Sequence, residues 1–463
     1  MISYWDKTQK KYRKKSIYLG IITNPETKTY TPKKLSTTYK NQTPTTNELI
    51  QNFGDTYSIL KTIENSPLNQ ILKTILPNNN DHTTLLSLTC HKIIKSSAMQ
   101  HVENWSKGNI ISTIYPDTNL SSQRISDFLK TLGKETLWRN FFKQYIEQIT
   151  QEKVGVIIDS TGLPNEVDFP FSAWSNHGDG SARETRFLMV IDRISGNPLY
   201  FRYMAGNIVD VSTLAHTFAE LKQMGVKTFF ALIDAGYFSE SNIRELYENK
   251  ISFLTRLPSG RVLYKLLIEQ HLDVESVENV VVYGKRVLYV KCVSVDLFGY
   301  EGFAYVVCDI KRKGDETARF FIAAKEDKLG SDVVGESLKG KGKFVLVSSE
   351  KISVEDVIPL YYTRQFAENL FGVSKSFLDF LPIRTHNIET LRGYLMLTFI
   401  ALIIHLEMKR CLSDKFTVEE ALTEMANLMA KTYGETTIVC EPTKNMKNIA
   451  SLLGYMVPMK LGV

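Results

Sequence analysis

The chain has 463 residues, which is too long for one ordinary hydrophobic core and predicts two or three domains. Its 43% hydrophobic and 23% charged residues are typical of a globular protein and exclude a chain that is disordered throughout. The formal net charge of +6 is modest for this length, so it permits nucleic-acid binding without requiring it.

The cysteines and the apolar runs of the sequence indicate the cellular compartment in which the protein works. The five cysteines are scattered and never form a Cys-x-x-Cys pair, which argues for a reducing compartment without disulfides or a thiolate zinc site. Met1 is soon followed by charged residues, so no signal peptide is expected. The longest apolar run, Tyr394 to Leu406, is too short to span a bilayer and predicts a buried helix. We therefore expect a cytoplasmic protein without a membrane partner.

The first 150 residues divide into a basic segment and a helical segment. Residues 1–43 carry a run of cations, an apolar stretch and a turn-like Asn-Pro, and we interpret them as a basic arm resembling a β-hairpin. A solvated surface hairpin and a phosphate-contacting arm both fit this segment. Residues 44–150 have helical periodicity, including two short helices joined at Gly133. These helices fit a helix–turn–helix reader of DNA and equally any helical hairpin.

Residues 151–257 predict a sheet with an acid at the end of each of two apolar strands. Val154–Ile158 ends in Asp159, and Thr228–Ile233 ends in Asp234. Ligands of α/β sheets bind at strand ends, so each Asp is a site candidate, whereas a lone Asp there is more often a cap or turn residue. The other predicted elements are strands Phe187–Ile194, Leu199–Met204 and Ile251–Leu257 and helices Ser212–Met224 and Ser239–Lys250.

Residues 258–347 predict a β-rich insertion, and residues 348–463 predict the second part of the core with C-terminal helices. The strands expected in the insertion are Val280–Tyr283, Val287–Val295, Phe303–Asp309 and Arg319–Ala324, with turns at Gly284, Gly299 and Gly314. The helices expected at the end of the chain are Ile388–Leu412 and Thr417–Lys431.

The segment from Tyr361 to Phe377 predicts one amphipathic helix with a charged face. Four side chains fall within an arc of roughly 60° on that face, namely Tyr361, Arg364, Glu368 and Lys375. The stripe expected to face the core is Tyr362, Phe366, Leu370, Val373 and Phe377. A carboxylate between cations suits a site for metal and phosphate, because the acid binds the metal and the bases bind phosphate oxygens. The alternative is a solvated face with an Arg364–Glu368 pair, which contributes on the order of a few tenths of a kcal/mol.

Asp159, Asp234 and Glu368 can converge on a pair of Mg²⁺ ions if the helix packs against the two strands. With the four-residue spacing of the helix, this pattern resembles the DDE transposases of prokaryotic insertion sequences. The closest likeness is to the insertion-sequence-four superfamily, whose signature Y-x2-R-x3-E-x6-K is met at all four positions. The two Asp motifs, Val-Ile-Ile-Asp159-Ser-Thr-Gly and Ala-Leu-Ile-Asp234-Ala-Gly-Tyr, and the long β-rich insertion before Glu368 are also similar.

The resemblance implies an α/β fold, namely an RNase H-like mixed sheet flanked by helices, with a β-rich insertion and a helical N-terminal region. It implies that Asp159, Asp234 and Glu368 ligate the catalytic metal, Mg²⁺ or Mn²⁺, expected as two ions. Arg364 and Lys375 would contact phosphates at the transposon end, and Tyr361 would pack or hydrogen-bond near the end nucleotide.

The same resemblance implies nicking of double-stranded DNA at the terminal inverted repeats, followed by attack of the freed 3′-OH on target DNA. Residues 44–150 would bind the DNA ends, and the active complex would be a homodimer. The protein would work in a prokaryotic cytoplasm, associated with the nucleoid when bound to DNA. Two alternatives stay open: an RNase H-like nuclease without strand transfer, and a catalytically silent DNA-binding protein derived from a transposase.

Overall fold

The computed structural model describes residues 2–6, 11–15, 20–24, 29–32, 48–95, 97–150, 153–164, 171–174, 183–208, 210–326, 338–378 and 385–461, with the backbone alone before residue 48. The chain divides into two compact units. The smaller consists of Met1–Ile50, Lys431–Ile438 and Lys460–Val463, and the larger of Gln51–Ala430 and Val439–Met459. The predicted five-part division of the chain stays a prediction.

The strands are β1 Ile2–Asp6, β2 Lys11–Lys15, β3 Gly20–Asn24, β4 Thr29–Pro32, β5 Glu48–Asn52, β6 Val154–Pro164, β7 Ala173–Trp174, β8 Arg183–Asp192, β9 Pro198–Ala205, β10 Thr228–Ile233, β11 Ser252–Arg256, β12 Val280–Tyr283, β13 Arg286–Leu297, β14 Tyr300–Asp309, β15 Lys343–Ser348, β16 Met429–Tyr433, β17 Thr436–Val439 and β18 Lys460–Leu461.

The helices are α1 Gly54–Asn65, α2 Leu68–Ile75, α3 Asn79–Lys95, α4 Val102–Lys107, α5 Ile111–Ile114, α6 Ser122–Leu132, α7 Glu135–Ile149, α8 Leu214–Gln223, α9 Glu240–Glu248, α10 Val262–Gln270, α11 Ile310–Glu326, α12 Val354–Tyr362, α13 Gln365–Gly372, α14 Ile388–Leu412, α15 Val418–Ala426 and α16 Lys444–Leu452.

Antiparallel hairpins occur near the N-terminus, where β1 pairs with β2 and β3 pairs with β4. The smaller unit also contains most of a four-stranded sheet in the order β18-β17-β16-β5. Within the predicted basic arm of residues 1–43, positions 1, 7–10, 16–19, 25–28 and 33–43 lie outside the described residues.

A ten-stranded mixed sheet forms the centre of the larger unit. Strands β9, β8 and β6 are antiparallel neighbours, and β6, β10 and β11 then run parallel. This order and the surrounding helices confirm the predicted RNase H-like mixed sheet. Beyond β11 the sheet continues antiparallel through β15, β14, β13 and β12, so the strands of the predicted insertion extend the central sheet.

The central strands are apolar on both faces because helices or loops cover both sides. Val156, Ile157 and Ile158 are all fully buried, as are Leu232 and Ile233 on β10. Strands that are buried on both faces appear as continuous apolar runs instead of alternating ones. The two runs that end in aspartate are therefore core strands, as the sequence predicts.

Helix α14 is buried on most of its circumference, which explains its nearly uniform apolar sequence and confirms the predicted buried helix. It crosses α6 closely, because a β-carbon at Gly133 would overlap the Glu389 carbonyl and one at Gly393 would overlap the Leu129 carbonyl. Across the parts of the chain that the structure describes, no helix combines the length and apolarity needed to cross a membrane.

Two predicted elements differ from the structure. The expected strand Arg319–Ala324 and the turn at Gly314 belong to helix α11. A short apolar run such as Phe320-Phe321-Ile322 does not distinguish a strand from a helix by itself. The expected helix Thr417–Lys431 ends at Ala426, after which the chain enters β16.

Candidate active site

The pairing of β6 with β10 places two of the three acids next to each other. In this parallel pair Ile158 lies opposite Ile233, so the next residues, Asp159 and Asp234, lie at the same place along the sheet. Asp234 ends its strand, as predicted. Asp159 does not, because β6 continues to Pro164 by pairing with β8 after its partner β10 has ended. The Ser160 amide donates a hydrogen bond to Asp159 Oδ1 at 2.8 Å, which fixes the carboxylate.

The signature segment is not one continuous α-helix, so that prediction is wrong. Helix α12 ends at Tyr362, α13 begins at Gln365, and a π-helical turn covers Val373–Phe377. In the break, backbone amides donate to the carbonyl three residues earlier, as in a 3₁₀ turn. The Thr363 hydroxyl also donates to the Leu360 carbonyl at 2.7 Å. Such side-chain bonds compete with regular helix geometry.

The buried face of this segment is also displaced by about one residue from the predicted stripe. Phe366, which was expected in the core, is 38% exposed, while the neighbouring Ala367 is fully buried. The side chains that face the core along α13 and the π-helical turn are Ala367, Leu370, Phe371 and Ser374. Because Arg364 lies in the break, its direction is set by the turn and not by a regular helical period.

Arg364 lies among the three acids, and each of its guanidinium nitrogens faces a different carboxylate. Nη1 donates to Asp234 Oδ1, Nε lies 3.7 Å from Asp159 Oδ2, and Nη2 lies 3.5 Å from Glu368 Oε1. The exposed side-chain fractions are 21% for Arg364, 11% for Asp159, 34% for Asp234 and 61% for Glu368. Asp159 is therefore nearly buried, Asp234 is partly exposed, and Glu368 on the helix is open to solvent.

The electrostatics of Arg364 follow from this arrangement. Burial lowers the pKa of its guanidinium, but the negative charges of Asp234 and Asp159 outweigh that effect and raise the pKa above its ordinary value. The Arg364–Glu368 pair expected for a solvated helix face is present, but it is one of three contacts of the same guanidinium.

Lys375 and Tyr361 lie on either side of this cluster along the chain. Lys375 Nζ donates to Thr161 Oγ1 at 2.7 Å, two residues beyond Asp159 on β6. Burial lowers the pKa of Lys375, and the charge of Glu184 partly opposes that shift. Tyr361 packs its half-buried ring 6.2 Å from the ring of Phe344, on β15. The structure thus brings Asp159, Asp234, Arg364 and Glu368 together, with Lys375 beside the Asp159 strand, and their chemical roles stay predictions.

A buried polar group behind Asp159 was missed by the sequence reasoning. Arg186 Nη2 donates to Ser160 Oγ at 2.6 Å, and its Nη1 lies 3.7 Å from Glu184 Oε1. Both charged side chains are almost completely buried. Gly162 allows this arrangement, because a β-carbon there would overlap the Glu184 carboxylate. The available signal was the Glu-Thr-Arg spacing on β8, which puts two opposite charges on one face of an otherwise apolar strand.

The three carboxylates suit a divalent cation by their chemistry. Their oxygens are hard donors, which Mg²⁺ and Mn²⁺ prefer as ligands, and the three side chains converge on one positive group. Across the described residues, no three acidic, histidine or cysteine side chains are close enough together to hold an ion. The chemistry of these three carboxylates fits a metal ion. Their present separation is set by the guanidinium of Arg364, which lies between them.

The sequence matches the Transposase DDE domain family over residues 150–404, which is more than half of the chain and includes every site residue described above. The protein belongs to this family. Membership makes it a protein of DNA transposition and recombination, as predicted. Among curated proteins, none matches the sequence of this DDE-family protein. One similar solved structure is the "Cryo-EM structure of piggyBac transposase synaptic complex with hairpin DNA". The two sequences are 11% identical, and the structural match covers 80% of this chain and 70% of that chain with a TM-score of 0.39.

Proposed function

We propose that the protein is an active transposase of the insertion-sequence-four type, which cleaves DNA at transposon ends and joins the freed 3′-OH to target DNA. The single observation that carries this proposal is the convergence of Asp159, Asp234 and Glu368 on one cationic group. Three carboxylates that meet in this way are expected where phosphoryl transfer depends on divalent metal. Membership of the DDE family supports the same reaction class.

Asp159, Asp234 and Glu368 would hold the metal, expected as two Mg²⁺ or Mn²⁺ ions. When bound, the ions would supply charge stabilisation for the attacking and leaving oxygens of an in-line displacement. Asp159 is suited to a fixed ligand, because it is nearly buried and its carboxylate accepts a hydrogen bond from the Ser160 amide. Glu368 is suited to an adjustable ligand, because it is largely exposed on α13.

The cations and the aromatic residue of the signature would position DNA. The Arg364 fork matches the geometry of a phosphate group, and Lys375 adds a point charge that Thr161 holds beside β6. Tyr361 would lie near the end nucleotide. We further propose that residues 44–150 bind the transposon ends, that a homodimer pairs two ends, and that the protein works in a prokaryotic cytoplasm in association with the nucleoid.

The test uses the full chain, Mg²⁺ and a linear DNA fragment carrying the terminal inverted repeats of the element that encodes the protein. We expect nicks at the ends of the element and joining of those ends to a target plasmid. Nicking without joining would instead support an RNase H-like nuclease. Binding of the ends without cleavage would support a catalytically silent DNA-binding protein.

A further inference from the structure

Arg364 lies in the space between the three carboxylates, where a cation bound by all of them would lie. We infer that Arg364 and the divalent metal compete for Asp159, Asp234 and Glu368, and that a DNA phosphate receives the guanidinium when the metal enters. Metal and DNA would then bind cooperatively. The inference rests on the proposed function, because that proposal identifies the three acids as metal ligands.

The geometry makes simultaneous binding unfavourable. The planar guanidinium directs one nitrogen to each acid, and this keeps the acids at the spacing of a guanidinium. Within the described parts of the chain, no group of three acids is close enough to hold an ion. The carboxylates must therefore move closer together to ligate a metal, and Arg364 occupies the space into which they would move.

Electrostatic repulsion also makes simultaneous binding of Arg364 and the metal unfavourable. An ion that entered beside a resident guanidinium would place two cations in contact in a site that is partly shielded from water, where charges interact more strongly than in bulk solvent. If Arg364 leaves without a new partner, however, its own charge loses the neighbouring Asp234 and Asp159 carboxylates. Its departure is therefore favourable only when another anion receives it.

A DNA phosphate is the anion that this site can accept. The guanidinium fork binds phosphate oxygens in a bidentate manner, and the site opens to solvent on the side of the exposed Glu368. Arg364 also lies in the break between α12 and α13, where no regular helix fixes its direction. By thermodynamic linkage, a phosphate that draws Arg364 away must raise metal affinity, and metal must raise DNA affinity to the same extent.

The inference is tested by Mn²⁺ binding, measured from the electron paramagnetic resonance signal of free Mn²⁺, with and without a terminal-repeat duplex. For the wild-type full chain we expect the duplex to raise Mn²⁺ affinity by roughly fivefold or more, the usual lower range of coupling between sites. For Arg364→Gln we expect tighter Mn²⁺ binding than wild type without DNA, and a smaller further increase with DNA. Arg244→Gln is the matched control, because Arg244 forms, among the described residues, an exposed i,i+4 ion pair with Glu240 alone and should behave as wild type.

Arg364→Gln that binds Mn²⁺ with wild-type or lower affinity in the absence of DNA would overturn the inference. Arg364→Met provides a second variant if the first does not fold, since it removes both the charge and the fork and keeps an unbranched side chain. We expect Arg364→Met to bind Mn²⁺ more tightly than wild type, and equal or weaker binding would again overturn the inference. Glu368→Gln separates the two proposals: if it leaves Mn²⁺ affinity unchanged, the ligand role assigned under the proposed function fails, whatever Arg364 does.

Discussion

Strand β6 carries an arginine–carboxylate group on each of its two faces, and the two groups differ mainly in their access to water. Successive side chains of a strand point to opposite faces, so Asp159 faces Arg364 while Ser160 faces Arg186. The Arg364 group includes an acid that is 61% exposed, whereas the Arg186–Glu184 pair has exposed fractions of 7% and 11%.

The difference between these two groups separates an exchangeable contact from a fixed one. Water, ions and phosphate can reach the partners of Arg364, so its contacts can be replaced by others. Arg186 and Glu184 are almost completely buried, so water and ions cannot readily replace a contact that either of them loses. The same pairing of residue types therefore suits a reacting site on one face of β6 and a support for Asp159 on the other.

The largest effect on activity is expected on the face of β6 that carries Asp159 and is accessible to water. Asp159→Asn removes a proposed metal ligand while preserving the shape of the side chain. We expect DNA cleavage at the transposon ends to fall by roughly a hundredfold to a thousandfold or more, because charge stabilisation in such sites has that magnitude. End-labelled cleavage assays measure the effect, and gel-shift binding without divalent metal should stay within about twofold of wild type. Cleavage near the wild-type rate would remove Asp159 from the reacting group.

On the buried face, the expected effect is on stability. Arg186→Met removes the cation 3.7 Å from the nearly buried Glu184 carboxylate and should lower the free energy of unfolding by about 3–5 kcal/mol, which urea titration can measure. The double variant Arg186→Met with Glu184→Leu should recover part of that loss. Arg139→Met is the control, because its exposed pair with Glu135 should contribute less than about 1 kcal/mol. Equal losses for Arg186→Met and Arg139→Met would contradict the distinction between the two faces.

Gly162→Ala tests the close contact between β6 and the buried carboxylate. A β-carbon there overlaps the Glu184 carboxylate, and forcing extra volume into a packed site costs about 1–3 kcal/mol of unfolding free energy. Gly260→Ala is the matched control, since nothing lies within 4 Å of a β-carbon at that position, and its effect should be within about 0.5 kcal/mol. Similar melting curves for the two variants would show that Glu184 does not need the space that Gly162 leaves.

The smallest effect is expected for Lys375, which lies beside β6 and would contact one phosphate. Lys375→Met should weaken DNA binding similarly for all sequences and reduce the slope of log affinity against log salt by about 1. Thr161→Val, which removes the hydroxyl that accepts from Lys375 Nζ, should reduce affinity less. Binding isotherms at several salt concentrations measure both, and an unchanged slope for Lys375→Met would exclude a phosphate contact.

Much of this site could be predicted because local patterns determine it. The apolar runs before Asp159 and Asp234 identify two core strands, and strands with such runs are placed side by side in an α/β sheet. The spacing of Arg364 and Glu368 predicts that they are neighbours on a helix, and the structure retains that contact.

The remaining features depend on tertiary structure. The break at Thr363 turns Arg364 toward the strands, and no helical period predicts that direction. The continuation of β6 past Asp159 depends on its register with β8, as does the burial of Arg186 and Glu184. The segment Arg319–Ala324 was misjudged because a short apolar run fits a helix and a strand equally well.

Glu368 gives the most direct test of the central claim, because it is the most exposed of the three acids and an ordinary surface Glu at this position would contribute little. The measurement compares cleavage of terminal-repeat DNA in Mg²⁺ by wild type, Glu368→Gln and the surface control Glu240→Gln, with DNA binding measured in parallel. We expect Glu368→Gln to bind DNA and fail to cleave it, while Glu240→Gln cleaves as wild type does. Cleavage by Glu368→Gln at the wild-type rate would contradict the account.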